Sequence, residues 1–512
     1  MKKDRDKWQF GDFQTPDELA RSVAILLKEK HCIQPSTIVE PSCGKGSFVR
    51  ATLKTFPEAK VIAADINPTY VQRTKQSIAK YTNAEVADIM ISDFFETDWK
   101  SIISEQNGHT LIVGNPPWVT SSELSLLNSK NSPTKSNFQS RRGIEAITGS
   151  SNFDISEWML LQYVEWLSCC VGTIAVLCKY SVARKVLRRV EHLPQQRRFS
   201  GHIYLIDTKN YFNASVEACL FVLCSEASTS DCVVYADLKD SQPVRTIGTR
   251  QGVLLNDIKT YERLIHLEGR DLAYVWRSGI KHDCAKVMEF KQTGRHVQNG
   301  FNATYLLERT YLYPLLKSSD VNNGRISDCR RLALVTQKKV GADTSVIEEE
   351  APRTWQYLLE HESLLEKRRS SVYRGKPPYS IFGVGAYTFK PWKIAISGLY
   401  KALNFQLIGP IEDRPVVFDD TVNFLSFETE SEAAFIYSIL TSKPASDFLN
   451  SIIFWDEKRP VTIRVLKRLS LKATAKELNV LERYLHWAAN TQTDDGGQLR
   501  LGLAEKRSSY TV

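Results

Sequence analysis

Short β-branched runs alternate with stretches of helical periodicity through the first 240 residues of the chain. The runs are Ser36-Thr37-Ile38-Val39, Val61-Ile62-Ala63-Ala64, Thr110-Leu111-Ile112-Val113 and Thr173-Ile174-Ala175-Val176-Leu177. Each is nearly continuous in apolar character, as strands covered on both faces of a parallel sheet require. Between them, residues 16–30, 46–56, 69–81, 154–169 and 182–192 carry apolar side chains at helical spacing. Thr15-Pro16 opens the first of these, with Thr expected as cap and Pro in the first turn. Asp154-x-x-Glu157, ahead of Trp158-Met159-Leu160-Leu161, reads as a capping box. Strand, helix, strand at this spacing predicts a doubly wound, Rossmann-like α/β sheet.

Residues 119–153 break the rhythm. They are rich in Ser and Asn, without period, and carry Lys130, Lys135, Arg141 and Arg142 against Glu123 and Glu145. A stretch of this kind inside a compact domain is usually functional or disordered; here it is expected to be a mobile, substrate-contacting loop. From about residue 241 the alternation is lost, and Gly, Pro, aromatic and basic residues mix, as in residues 368–385 and 455–468. The expected organisation is a first domain over residues 1–240, a second, mixed α+β domain over 241–490, and a flexible tail over 491–512.

With 42% hydrophobic and 24% charged residues in 512, the composition excludes global disorder, collagen and membrane embedding. The strongest apolar run, residues 171–178, is far shorter than a membrane span. Ten cysteines form no Cys-x-x-Cys pair, which argues against zinc ribbons and disulfide frameworks. Met1-Lys2-Lys3-Asp4-Arg5-Asp6-Lys7 has no apolar core behind it and so no secretory signal. The expectation is a cytoplasmic protein that needs no metal and no membrane.

The first strand ends in Val39-Glu40-Pro41-Ser42-Cys43-Gly44-Lys45-Gly46-Ser47-Phe48, a glycine turn into a helix. Glycines let the backbone approach a ligand at the carboxyl edge of a sheet. Alone such a turn is weak evidence, and Lys45 stands outside the Gly-Lys-Ser/Thr order of a phosphate loop. Asp65, in Ala63-Ala64-Asp65-Ile66-Asn67, ends the next strand, where a carboxylate can accept both hydroxyls of a ribose. Asp93, in Ser92-Asp93-Phe94-Phe95, reads by itself as a helix cap.

Then comes Val113-Gly114-Asn115-Pro116-Pro117-Trp118, whose double proline stiffens the backbone just past the sheet edge. This suits an exocyclic aryl amine, a poor nucleophile because its lone pair is delocalised into the ring. The Asn115 side-chain oxygen and the Pro116 carbonyl could accept its two N–H groups and favour a pyramidal nitrogen. Trp118 could stack on the ring and fix its plane. A proline-rich turn with a buried Trp is the bland alternative, and the ordered motifs upstream weigh against it.

These residues resemble the amino-group DNA methyltransferases that make N6-methyladenine, in the gamma-type subgroup with the cofactor region first and target recognition last. The matching order is Gly11-Asp12-Phe13-Gln14-Thr15-Pro16, the Glu40 to Gly46 turn, Asp65, Asp93-Phe94 and Asn115-Pro116-Pro117-Trp118. The resemblance implies that Thr15 and the turn surround S-adenosylmethionine, that Asp65 holds its ribose, that Asp93 contacts its adenine amine and that Phe94 packs on that ring. The implied cofactor set is Thr15, Glu40, Pro41, Cys43, Gly44, Gly46, Asp65, Ile66, Asp93, Phe94 and Asn115. Asn210-Tyr211-Phe212 looks like the family's late motif, which places Phe212, or failing it Tyr211, on the flipped base opposite Trp118. The family commonly has Tyr where Trp118 stands. The second domain shares Trp276-Arg277-Ser278-Gly279-Ile280-Lys281-His282-Asp283-Cys284 and Tyr379-Ser380-Ile381-Phe382-Gly383-Val384-Gly385 with a group of such enzymes. His282, Asp283 and Cys284 are adjacent and are read as structural rather than metal-ligating.

The implied substrate is double-stranded DNA, in which a base must be extruded to reach such a pocket. The implied activity is a site-specific adenine N6 methyltransferase, monomeric, that protects its site from a cognate restriction endonuclease on a separate chain. RNA or protein amino-group methylation and N4-cytosine methylation are the alternatives. Candidate phosphate contacts are Lys338-Lys339, Lys367-Arg368-Arg369, Arg374, Lys376, Lys458-Arg459, Arg464, Lys467 and Arg468. The net charge of +9 supports this division of labour. Residues 1–240 carry 28 basic and 27 acidic side chains, and residues 241–512 carry 39 and 31.

Overall fold

The computed structural model describes residues 14–119, 154–191, 193, 199–213, 216–225, 229, 231–327 and 329–491. Residues 120–153 of the expected loop, Gly11-Asp12-Phe13 and residues 492–512 of the expected tail lie outside the described residues. The chain divides into two compact units, residues 1–259 and 260–512.

In the first unit the strands are β1 (Thr37–Glu40), β2 (Lys60–Asp65), β3 (Ala87–Ile91), β4 (Thr110–Gly114), β5 (Gly172–Lys179), β6 (Phe199–Ile206), β7 (Ala218–Ser225), β8 (Cys232–Tyr235), β9 (Arg245–Arg250) and β10 (Val253–Leu255). They form one sheet in the order β10-β9-β8-β6-β7-β5-β4-β1-β2-β3. From β3 to β5 every pairing is parallel, whereas β7 runs antiparallel between β5 and β6. The sheet is therefore mixed. It also extends past the expected boundary at residue 240, because β9 and β10 pair into it and carry the unit to Lys259. Redrawn there, the charge is 31 basic against 28 acidic residues up to 259 and 36 against 30 beyond, so the asymmetry expected from the sequence is weaker.

The helices are α1 (Asp17–Glu29), α2 (Ser47–Thr55), α3 (Pro68–Ile78), α4 (Trp99–Ser104), α5 (Ile155–Trp166), α6 (Tyr180–Val190) and α7 (Thr208–Phe212). Leu19, Val23 and Leu27 of α1 and Phe48, Val49 and Leu53 of α2 are buried in one cluster with Ile38, Val61 and Leu111 of the sheet. Such burial is worth about 1.5–3 kcal/mol per large aliphatic side chain. Asn67 caps α3 through the Thr69 amide, with Pro68 pre-set in its first turn. Of the two expected caps, one is displaced and one is kept. Thr15 does not cap α1, because Pro16 takes the position before Asp17 and the Thr15 carbonyl receives the Ser47 hydroxyl instead. Asp154 caps α5 through the Ser156 amide, while the Glu157 carboxylate holds Lys185 at 2.7 Å and Asp154 holds Lys179 at 2.6 Å.

The second unit is α+β. A four-stranded antiparallel sheet is centred on Trp392–Ser397 and Val422–Phe427, and a six-stranded sheet includes Glu289–Thr293, Leu312–Leu316 and Leu332–Leu334. The two recurrent motifs of this unit cross each other. Lys281 and Phe382 exchange backbone hydrogen bonds, and a Cβ on Gly383, at φ +70°, would sit 2.3 Å from the Gly279 carbonyl oxygen. A Cβ on Gly279 would in turn lie 2.1 Å from the Asp419 carbonyl oxygen. Backbones this close admit only glycine. His282 is buried, its Nδ1 accepts from the Cys284 amide and its Nε2 faces Glu289 at 3.4 Å, a structural arrangement.

Candidate active site

Strands β1 and β4 are neighbours from which the order departs in opposite directions, β2 and β3 on one side and β5 and β7 on the other. A sheet opens a crevice beyond the carboxyl ends of its strands at such a switch point. Glu40 ends β1 and Gly114 ends β4, so the glycine turn and the Asn115-Pro116-Pro117 turn leave the same edge side by side.

The glycine turn is tightly held. Gly44 and Gly46 have φ of +52° and +75°, and a Cβ on Gly46 would fall 2.4 Å from Thr74 Cγ2. The Cys43 amide donates to the Ala64 carbonyl at 2.8 Å, and Thr74 Oγ1 donates to the Gly44 carbonyl. From the N-terminal side, Gln14 Oε1 accepts from the Lys45 amide at 3.2 Å, and Ser47 reaches the Thr15 carbonyl at 2.7 Å. Arg50 ties the Lys45 carbonyl to Asp17. Thr15 thus sits against the turn, although α1 and β1 separate them in sequence.

Asp65 accepts from two backbone amides, Gly44 at 2.8 Å on Oδ2 and Asn67 at 2.8 Å on Oδ1. It pins the glycine turn to the end of β2, and each carboxylate oxygen has a further lone pair. Ile66 beside it is 41% exposed. Asp93 Oδ1 accepts from the Phe95 amide at 2.8 Å; the cap of the next helix is Asp98. Phe94 is 9% exposed and surrounded by Phe95, Trp158, Tyr163 and Trp166.

Glu40 is 3% exposed, and its burial pushes the carboxyl well above the usual carboxylate range. Pro41 and Cys43 are buried beside it, and burial also pushes the Cys43 thiol up. Asn115 and Pro117 are half-buried and Pro116 is buried.

Trp118 is buried against Phe212. Its indole N–H donates to the Leu177 carbonyl at 3.3 Å, and its ring meets that of Phe212 edge to face, with centroids 5.2 Å apart. A planar base between two ring faces needs them roughly 7 Å apart, twice the aromatic contact distance. Phe212 is therefore beside Trp118, not across an open slot from it. Tyr211 is only partly buried.

No protein-family model matches the chain. The type II methyltransferase M.NspV of Nostoc sp. is 44% identical over 476 residues, spanning 92% of this chain and 98% of that protein. The chain belongs to the type II methyltransferases. M.XamI of Xanthomonas campestris pv. amaranthicola, also a type II methyltransferase, is 28% identical over 109 residues, 21% of this chain and 20% of that one. Among solved structures, the type IIL restriction-modification enzyme MmeI, in complex with DNA, aligns over 95% of this chain and 77% of its own, at a TM-score of 0.46 and 13% identity.

Several residues that shape the edge of this type II methyltransferase carry no motif. Tyr163 lies within a plain apolar helix, yet its hydroxyl is in hydrogen-bond range of Ser42, and burial raises its phenol. Arg50 and Thr74 are likewise visible only once α2 and α3 pack together. In the second unit, Lys338, Lys339, Lys367, Arg369, Arg374, Lys376, Lys458, Arg464 and Lys467 are exposed. Arg368 is not a free cation: it binds the carbonyls of Leu365, His282 and Ser380 and covers Tyr373. Arg468 is engaged by Glu268 at 2.7 Å, and Arg459 lies 3.9 Å from Asp420. Among the described residues no cluster of three or more His, Cys, Asp or Glu could hold a metal ion, and no helix is long and apolar enough to cross a membrane.

Proposed function

We propose that this type II methyltransferase moves a methyl group from S-adenosylmethionine to the N6 amine of adenine at a specific site in duplex DNA, with the adenine turned out of the helix. The observation that carries the reading is the pair of turns at one sheet edge, the glycine turn after β1 and Asn115-Pro116-Pro117 after β4. The residues fit the cofactor. A cationic ligand suits an edge where a buried carboxyl oxygen of Glu40 has no hydrogen-bond partner among the described residues. Thr15, Pro41, Cys43, Gly44, Gly46 and Asn115 would line it, Asp65 would take the ribose, Ile66 and Phe94 would pack on its adenine, and Asp93 would bind that ring's amine.

When bound, S-adenosylmethionine supplies an electrophilic methyl group on a sulfonium centre. The protein's task is to hold the amine in line. Asn115 Oδ1 and the Pro116 carbonyl would accept its two N–H bonds, which favours a pyramidal nitrogen with its lone pair localised towards the methyl group. As the N–C bond forms the C–S bond breaks, and the methylated nitrogen then gives one proton to solvent. Transfer is direct, with no covalent bond to the enzyme. Trp118 and Phe212 would contribute stacking once the base parts them. The monomeric enzyme would act on its own, and a restriction endonuclease on a separate chain would be the activity its methylation blocks.

Incubation with labelled S-adenosylmethionine and, in parallel, mixed-sequence duplex DNA, RNA and unrelated proteins tests the substrate class. The expected outcome is label in duplex DNA. Label in RNA or protein alone would overturn the reading.

A further inference from the structure

Glu40 stands between the two turns. Its backbone ends β1, and its Cγ lies 3.7 Å from where a Cβ on Gly114 would be, so the side chain packs against the end of β4, from which the Asn-Pro-Pro turn leaves. The residue is 3% exposed, and among the described residues Oε2 is buried without a hydrogen-bond partner. One backbone group, the Val49 amide, serves the carboxyl. A buried ionised carboxylate is stable only when paired and hydrogen-bonded.

The surroundings do not pair it. From β2 comes Asp65, a like charge that opposes ionisation. From α5 comes Tyr163, and from the turn itself Cys43, both acids kept neutral by burial. From α2 comes Arg50, a favourable charge, but its guanidinium is spent on Asp17, at 2.5 Å, and on the Lys45 carbonyl, at 2.6 Å. Among the described residues, Glu40 is thus a carboxyl at a ligand-binding edge with one oxygen still to satisfy.

Resting on the cofactor reading above, we propose that Glu40 is protonated in the free enzyme and becomes the counter-ion of the cofactor's positive charge, so that binding S-adenosylmethionine expels one proton from Glu40 to solvent. The balance is simple: a neutral carboxylic acid and a cationic ligand become a carboxylate beside that ligand, and the buffer takes the proton. Linkage sets the sign. A ligand that prefers the ionised form binds more tightly as pH rises, by up to tenfold per pH unit while the free enzyme still holds the proton. The device also makes the free pocket tolerable, since no bare charge is buried before the cofactor arrives.

Isothermal titration calorimetry of the full chain at pH 6.5, in two buffers of different ionisation enthalpy, counts the protons. This pH lies below the usual α-amino range of about 7.7–8.0, so the cofactor's own amine remains charged. The account expects close to one proton released per S-adenosylmethionine bound, and none on binding adenosine, which carries no positive charge. Glu40→Gln, a neutral side chain of the same shape, should bind the cofactor more weakly and release none. Its folding is checked by its melting temperature and by adenosine binding. Where that variant does not fold, the pH dependence of wild-type affinity decides: a rise with pH supports the proposal, and a flat profile from about pH 5 to 7, below the range of the cofactor's own amine, overturns it. No proton released by the wild type, release with adenosine, or undiminished release by Glu40→Gln would also overturn it. If the wild type fails to bind S-adenosylmethionine at all, the cofactor reading itself fails.

Discussion

The ring of Trp118 rests on the ring of Phe212, inclined by 63° with centroids 5.2 Å apart, and both side chains are less than a tenth exposed. The indole N–H donates to the Leu177 carbonyl, and Phe212 ends the short helix α7. A base entering here would lie against both rings.

Phe212→Ala should therefore reduce kcat/KM on DNA by roughly 5- to 150-fold, the loss of one stacking partner worth about 1–3 kcal/mol. Affinity for S-adenosylmethionine should stay within twofold of wild type. Steady-state methylation with calorimetric cofactor binding checks both, and unchanged kcat/KM would remove Phe212 from the base pocket.

Asn115→Ala removes one of two acceptors for the amine and leaves the glycine turn intact. Methyl transfer should fall on the order of 100- to 1,000-fold, the scale on which a single pre-organised hydrogen-bond partner acts on a developing charge. Cofactor binding should persist, and the melting temperature should match wild type. Full activity would take Asn115 out of the chemistry.

The exposed and the engaged cations of the second unit should behave differently. Lys338 and Lys339 are exposed on a segment whose flanks are clamped, Thr336 to the Tyr379 carbonyl and Thr344 to the Pro378 carbonyl. If they contact phosphates, Lys338→Ala and Lys339→Ala should each reduce the slope of log affinity against log salt by about 1, with the melting temperature unchanged. Arg368→Ala should instead lower the melting temperature, because three carbonyls lose their donor.

Lys393 is 1% exposed within its strand, and burial pushes its amine down to about 7, against the opposing pull of Glu428. The unfolded chain holds that proton up to about pH 10.4. Between pH 7 and 10 the unfolded state therefore binds more protons at this site, and its contribution to stability rises with pH. Lys393→Met should melt higher than wild type at pH 7, and the difference should shrink as pH approaches 10. A constant difference across that range would contradict a neutral, buried Lys393.

Strands β1, β2, β4 and β5 were legible because buried parallel strands are nearly continuous in apolar character, and the two turns because glycine and proline impose backbone geometry locally. The parallel edge strand β3, with only Ile89 buried, was not. What escaped depends on partners remote in sequence. The polar strand Arg245–Arg250 has only Ile247 and Gly248 buried, so nothing in its pattern announced that the first unit continues to Lys259. Thr15 looked like a helix cap, but its carbonyl is claimed by Ser47. Arg368 sits in a run with Lys367 and Arg369 that reads as one basic face, and only the fold turns it inward. The contact between Trp118 and Phe212 joins two motifs whose spacing carries no distance information.

Under the proposed function, the amine that Asn115 and Pro116 would hold is the N6 amine of adenine. Duplex DNA methylated by the purified enzyme with labelled S-adenosylmethionine, digested to nucleosides and resolved by mass, tests it most directly. The account expects the label in N6-methyladenine; label in N4-methylcytosine would contradict it.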